Sequence, residues 1–295
     1  MGEPVKVEEI QVEPPKSCEA RIKTLYASVC HTDILLTMAS QSLPAFPRVL
    51  GHEGVGCFAS GVGHIFVIMS EQVCNNIEIL KEGDLVIPTF LGECQDCENC
   101  LSGKTTCALN TQYPSVDLCL MHFRMTARGQ MLYHSFSCST WSGFLSCGFS
   151  TGFGAAWKEV GVEKGSSVAV LLVKELTGGM GVDYCFECTG VAPLVNEALQ
   201  ATKNGKRSNN SNWRRNHATV EINFLSLVFG GNLKGSIFGG LRAKTDLPII
   251  IDKCKNKEIQ LDELLTHEVR LEDIDKAFEQ LKQPDCVKVL IKLCD

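Results

Sequence analysis

"SSVAVLLVKELTGGMGVDYCFECTG", residues 166–190, decides how the second half of this chain folds. Val168 to Val173 form an unbroken apolar run of buried-strand length, and "GVDYCFECTG" (181–190) supplies another. Between them stands Gly178-Gly179-Met180-Gly181. A strand followed by glycines suggests a nucleotide-binding βαβ unit. G-x-G-x-x-G, however, needs a further glycine where this chain has Tyr184. A phosphate loop must also follow a strand and open a helix, whereas these glycines precede a strand. They read as a turn with positive φ.

Outward from that stretch, "STGFGAAWKEV" (150–160) predicts a helix with Ser150 or Thr151 as N-cap. "APLVNEALQATKNG" (192–205) predicts an amphipathic helix stopped by Gly205. Residues 206–221 are polar and aperiodic, the pattern of a loop or disordered segment. Leu271, Ile274, Ala277, Phe278 and Leu281 recur at helical period over 271–283, and "CVKVLIKL" (286–293) closes as a strand. Residues 1–100 are β-rich, with "ARIKTLYAS" (20–28) and "GDLVIPTF" (83–90) as strands between Gly and Pro punctuation. A β-rich part followed by a βαβ-like part predicts an α/β protein of two domains.

Composition narrows the partners. The 295 residues carry 28 basic and 34 acidic side chains, a net charge of −6, and no long Lys/Arg block. A nucleic-acid partner is therefore not expected. No apolar run reaches the roughly 18 residues of a membrane helix, and "MGEPVKVEEI" lacks a signal peptide's apolar stretch. A cytosolic protein is expected. Its 16 cysteines would then be reduced thiols, so clustered ones point to metal.

The strongest cluster is "CQDCENCLSGKTTC": Cys94, Cys97, Cys100 and Cys107. Two residues between successive cysteines let a tight turn aim three thiolates at one point, and the fourth completes a tetrahedron. Four thiolates suit structural Zn²⁺, with an iron–sulfur cluster as the rival. A second set is dispersed: Cys30 in "SVCHTDI" at the end of an apolar strand, His52 and Glu53 in "LGHEGVG", and Cys147 in "FLSCGFSTGFG". Two cysteines and a histidine form one known ligand set for catalytic zinc.

In chain order, "CHTD", "GHEGVG", "GECQDCENC", "LYHSFSCSTWS", "LSCGFSTGFGAAWK", "DYCFECTG", "FGGLRAKTDLPI" and "THEVRLEDIDKAF" resemble the zinc-dependent medium-chain alcohol dehydrogenases, in their plant branch. The resemblance implies a β-rich GroES-like catalytic domain (1–150 and 238–295) and a Rossmann-type cofactor domain (151–237). It implies two zinc ions per chain, NAD, an alcohol or aldehyde substrate and a homodimer. Cys30, His52 and Cys147 would hold the catalytic zinc, with the substrate oxygen at the open position. Hydride would pass from a primary alcohol to the nicotinamide. Thr32 would take the alcohol proton, and His31 would lie by the pyrophosphate. Glu53 would stand beside the metal, and Thr151 would touch the nicotinamide.

The chain departs from that pattern at several seams. An opening strand before "EPVKVEEI" is missing. Residues 63–80 hold an extra apolar piece. Six residues separate Cys100 from Cys107 where the family has seven, and catalytic-domain strands are missing between Ser142 and Phe144. Leu35 stands where some relatives end the proton relay in a histidine, leaving His31 or solvent to finish it. Most consequentially, "VAVLLV" passes almost directly to "KELTGGMGVDYCFECTG", so at least one βαβ unit is missing. With it go the helix N-terminus that meets pyrophosphate and the acidic ribose anchor. The cofactor domain is therefore expected to be incomplete, and turnover feeble or absent. Two functional readings stand: an NAD-dependent alcohol dehydrogenase, or a zinc-binding, catalytically impaired isoform or mispredicted gene product.

Overall fold

The computed structural model describes residues 5–12, 14, 19–38, 48–58, 65–69, 81–87, 93, 95–103, 125–127, 130–131, 133–134, 145, 147–170, 181–189, 191–203, 208–211 and 220–293. The chain divides into two compact units, one of residues 1–149 and 242–295, the other of 150–241.

The first unit is built on the long strand β2 (Glu19–Val29), which follows the short β1 (Gln11–Val12). Its remaining elements before residue 150 are α1 (His31–Met38), β3 (Arg48–Val49), β4 (Gly54–Phe58), β5 (Ile65–Met69), β6 (Leu85–Val86), α2 (Glu98–Ser102), β7 (Met125–Ala127), β8 (Gln130–Met131) and β9 (Tyr133–His134). The helix α3 (Gly148–Gly154) crosses into the second unit and tightens into a π-turn over Ala155–Glu159. The second unit continues with β10 (Val168–Val170), β11 (Tyr184–Glu187), α4 (Ala192–Ala201), β12 (Ser208–Ser211), α5 (Phe224–Val228) and β13 (Leu233–Gly235). Back in the first unit come α6 (Leu247–Lys255), β14 (His267–Arg270), α7 (Ile274–Gln280) and β15 (Val289–Lys292).

β2 organises a six-stranded sheet of order β14-β15-β2-β4-β6, with β5 paired to the N-terminal part of β2. The extra apolar piece of 63–80 thus supplies a strand, antiparallel to β2. The C-terminal strand β15 pairs antiparallel with the end of β2, placing Val289 opposite Val29. The helical period of 271–283 is used as predicted. A 3₁₀ turn (Leu271–Asp273) leads into α7, and Ala277 and Leu281 are buried against Val29, Val289 and Ile291. Burying one such leucine is worth about 1.5–3 kcal/mol.

The second unit holds a parallel sheet of order β10-β11-β12-β13. Parallel pairing needs crossovers, and α4 supplies one. Its Ala198 packs with Ala169, Val182 and Cys185. Three local expectations change here. Residues 208–211 form β12, pairing with β11 and β13: backbone ladder bonds override the polar composition "SNNS". The helix at 150–160 starts earlier, at Gly148, so Ser150 lies buried inside it and is not its cap. α4 ends at Ala201 because Thr202 turns to extended backbone, its Oγ1 donating to Leu199 O at 3.0 Å; Gly205 lies outside the described residues. The glycine turn keeps its predicted conformation at Gly181, φ +80°, just before β11. Residues 171–180 lie outside the described residues.

Candidate metal centre

β2 ends at Val29, so Cys30 falls at the strand-to-helix junction and α1 opens at once with His31. The junction is locked by Asp33, the third residue of the helix. Its Oδ2 accepts from Cys30 N at 2.9 Å, and its own N–H donates to Cys30 O at 2.9 Å. That is the acidic half of a capping box, and it fixes the backbone that carries the first thiol.

Asp33 is buried, and its other oxygen reaches a second segment. Oδ1 accepts from Gly51 N at 3.2 Å and faces His52 Nδ1 at 3.1 Å. A carboxylate partner makes Nδ1 the donor, so Nε2 is the nitrogen left for a metal. His52 Nε2 is buried and finds no hydrogen-bond partner among the described residues. A buried nitrogen without a partner is costly unless something absent from the coordinates satisfies it.

Cys147 comes from the turn before α3. The donor atoms of Cys30, His52, Glu53 and Cys147 lie within 4.8 Å of one another. Both cysteines are free thiols. The hydrogen bond from Cys147 holds the Cys30 thiol well below its ordinary pKa against the effect of burial, with His52 and Lys288 assisting. The same bond, with burial, pushes Cys147 up. The direction at Cys30 favours the thiolate, the form that binds metal. Burial pushes His52 down, but the Asp33 charge outweighs it and holds the imidazole well above its usual value. A two-thiol, one-imidazole set with an orphaned Nε2 fits a zinc ion with an open position.

Glu53 is fully buried and answered on both oxygens. Oε1 accepts from Gly148 N at 3.0 Å; Oε2 accepts from Ser28 Oγ at 2.5 Å and from Lys288 Nζ. Burial raises its pKa, with Lys288 opposing. Burial likewise lowers that of Lys288, but the Glu53 and Cys30 charges outweigh it and raise the ammonium above its normal range.

The remaining predicted residues fall as follows. Thr32 sits in the first turn of α1, its Oγ1 3.8 Å from Cys30 Sγ. His31 begins that helix and is exposed. Thr151 lies in the part of α3 that belongs to the second unit. Cys97 caps α2, its Sγ accepting from Cys100 N at 3.5 Å, and Cys100 is buried. Cys94 and Cys107 lie outside the described residues. Glu93, just before Cys94, anchors that loop: it is buried and accepts from Lys244 N at 2.9 Å, Thr245 N at 3.0 Å and Thr245 Oγ1 at 2.5 Å.

Sequence reasoning missed Asp33, Ser28 and Lys288. Asp33 had a signal, an acid three residues after a ligand where a helix opens. Lys288 had a fainter one, a charge just before the apolar strand that begins at Val289.

Comparison with known proteins identifies the family. Residues 16–131 match the alcohol dehydrogenase GroES-like domain. An alcohol dehydrogenase 1 of Tanacetum cinerariifolium is 44% identical, over 99% of this chain and 95% of its own length. A protein of Catharanthus roseus described as a CYP enzymes assisting alcohol dehydrogenase is also 44% identical, over 99% of this chain and 96% of its own. The first alignment runs over 373 positions and this chain has 295 residues, so at least 78 positions have no residue here. That is the expected signature of internal deletions. Two solved structures share the fold. An alcohol dehydrogenase zinc-binding domain protein from Burkholderia ambifaria aligns with TM-score 0.76 at 22% identity, over 100% of this chain and 96% of that one. A benzyl alcohol dehydrogenase from Acinetobacter calcoaceticus aligns with TM-score 0.73 at 18% identity, over 97% and 94%. The chain belongs to the zinc-dependent medium-chain alcohol dehydrogenase family.

Proposed function

We propose that this protein is an oxidoreductase that interconverts a primary alcohol and its aldehyde with NAD, using zinc held by Cys30, His52 and Cys147. The observation that carries the proposal is the buried His52 Nε2, without a hydrogen-bond partner among the described residues, with the donor atoms of Cys30 and Cys147 within 4.8 Å. When bound, zinc supplies a Lewis acid for the alcohol oxygen, and the nicotinamide supplies the hydride acceptor. The chain's own residues supply the rest. Asp33 fixes the His52 tautomer, and Ser28, Gly148 and Lys288 fix Glu53. Thr32, next to Cys30 in space, takes the alcohol proton and passes it to His31 or solvent. Thr151 contributes to the nicotinamide site, and His31 to the pyrophosphate site.

The first unit then serves as the GroES-like catalytic domain and the second as a reduced cofactor domain. Cys94, Cys97, Cys100 and Cys107 hold a second, structural zinc, with Glu93 bracing that loop. The sequence contains no G-x-G-x-x-G, so NAD is bound weakly: losing the pyrophosphate anchor costs roughly several kcal/mol, each 1.4 being tenfold. The impaired isoform is the limiting case of the same function.

The proposed homodimer uses β13, an edge strand of the parallel sheet. Beside it in sequence, α5 exposes Phe224, Leu225, Val228 and Phe229, at 57–70% of their surface. An edge unpaired among the described residues, next to such a patch, suits self-pairing about a twofold axis. Among the described residues no helix is long and apolar enough to cross a membrane, in keeping with a cytosolic setting.

The test is direct. Zinc-loaded protein is mixed with NAD⁺ and a series of primary alcohols, and reduced cofactor is followed by absorbance. Turnover that saturates in alcohol and needs high NAD⁺ supports the proposal. No reduction with any alcohol, at NAD⁺ concentrations shown by calorimetry to bind, would reject it.

A further inference from the structure

Glu53 places a carboxylate oxygen within 4.8 Å of the Cys30, His52 and Cys147 donor atoms. An unrestrained carboxylate there would complete a four-donor shell and leave no place for substrate. It is restrained on both oxygens, by Gly148 N and Ser28 Oγ, both neutral donors, and by the Lys288 ammonium. We propose that Lys288 is a positioning residue that keeps Glu53 out of the metal's coordination shell, so that the fourth position stays open for the alcohol oxygen. This rests on the zinc reading given above.

The physical argument is a competition between two cations for one carboxylate. Lys288 and Glu53 are both buried, their side chains 7% and 0% exposed. If Oε2 swung to the metal, the ammonium would be left unpaired in the interior, a heavy desolvation cost. Without Lys288 that cost vanishes. Glu53 becomes the unpaired buried charge, and the metal is the cation at hand. The backbone of Lys288 is fixed for this task. Its carbonyl accepts from Thr266 N and His267 N, both at 3.2 Å, and its N–H donates to Thr266 Oγ1 at 3.2 Å. The next residue, Val289, is in register with Val29, the neighbour of Cys30. The lysine and the first thiol are therefore tied to one pair of strands, although 258 positions separate them in sequence by their numbers, 30 and 288.

A mere strand-to-strand ion pair would have no effect on the metal's open position, and that difference is measurable. Cobalt(II) replaces zinc, and imidazole is titrated in while the visible d–d absorption is followed. The imidazole-dependent difference spectrum reports only a centre with an open position, so a closed four-thiolate site is silent. Wild type and Lys288→Arg should respond at similar imidazole concentrations. Lys288→Met should need at least about tenfold more, because Glu53 now occupies the position, and the double variant Lys288→Met/Glu53→Gln should return to within about threefold of wild type. Lys288→Gln, which still donates to Oε2 without charge, gives the same test should Lys288→Met fold poorly. Lys288→Met or Lys288→Gln responding like wild type would overturn the proposal. So would a double variant as unresponsive as the single, which marks a structural defect and not capture by Glu53. A wild-type cobalt protein with no imidazole response contradicts the open zinc site itself, and is told apart because it appears before any substitution is made.

Discussion

The six-stranded sheet of the first unit and the four-stranded parallel sheet of the second differ in how they treat polar groups. Around β2 and β4, buried Asp33 and Glu53 are each fully answered: Asp33 by Cys30 at its own helix start and by Gly51 and His52 from another segment, Glu53 by Ser28, Gly148 and Lys288. Such a network is stable only when it is complete, and here its completeness leaves His52 Nε2 exposed to whatever occupies the site. In the parallel sheet, β12 is spelled "SNNS" between two neighbours, in a position where parallel strands are normally apolar. The chain after β10 lacks the glycine motif that would hold pyrophosphate. In this chain, then, the donor set of a metal site is brought together within 4.8 Å, while the glycine motif that would hold the cofactor is absent from the sequence.

Four experiments press on that contrast. The largest effect belongs to metal removal. Dialysis against a chelator should lower any turnover by more than about a hundredfold, since the Lewis acid supplies several kcal/mol of transition-state stabilisation; readded zinc should restore it. Next, Asp33→Asn should weaken metal affinity by about 10–100-fold, as loss of an orienting partner does, measured by competition with a chromophoric chelator. Third, Gly239→Ala tests packing in the second unit. Gly239 has φ +65°, and a Cβ there would lie 2.5 Å from Ser150 O and 2.6 Å from Thr151 O. The variant should lose about 2–4 kcal/mol in denaturant unfolding, with metal affinity unchanged if the first unit's network is self-sufficient.

The smallest effect is a pH-dependent one. Lys203 and Ser167 hydrogen-bond Asp183 and hold its carboxyl well below the usual carboxylate range. The folded state therefore binds fewer protons than the unfolded one, and stability rises with pH across that interval. The contribution is fully present above the ordinary aspartate value near 4 and is lost as pH falls below it toward the folded value. Asp183→Asn should melt earlier than wild type at pH 7, and the gap should close in melts below about pH 4.

Much of this was legible in the sequence. The helical period of 271–283 and the strand leading to Cys30 survive because burial imposes them, and the candidate set Cys30, His52 and Cys147, named from residue type and family resemblance, is brought together in space. β12 was not legible: its place in the sheet comes from ladder bonds to β11 and β13, which composition does not report. Nor were the capping roles at 150–160, where α3 begins two residues early. Lys288 was hidden for another reason. Its partner lies 235 positions away, and no local pattern announces a long-range buried ion pair.

Whether the dispersed residues hold metal is measured directly by elemental analysis of purified wild type beside His52→Ala. One zinc fewer per chain in His52→Ala, with far-UV circular dichroism unchanged, is the predicted result. Equal zinc in the two proteins, or a wild type that holds none, would contradict it.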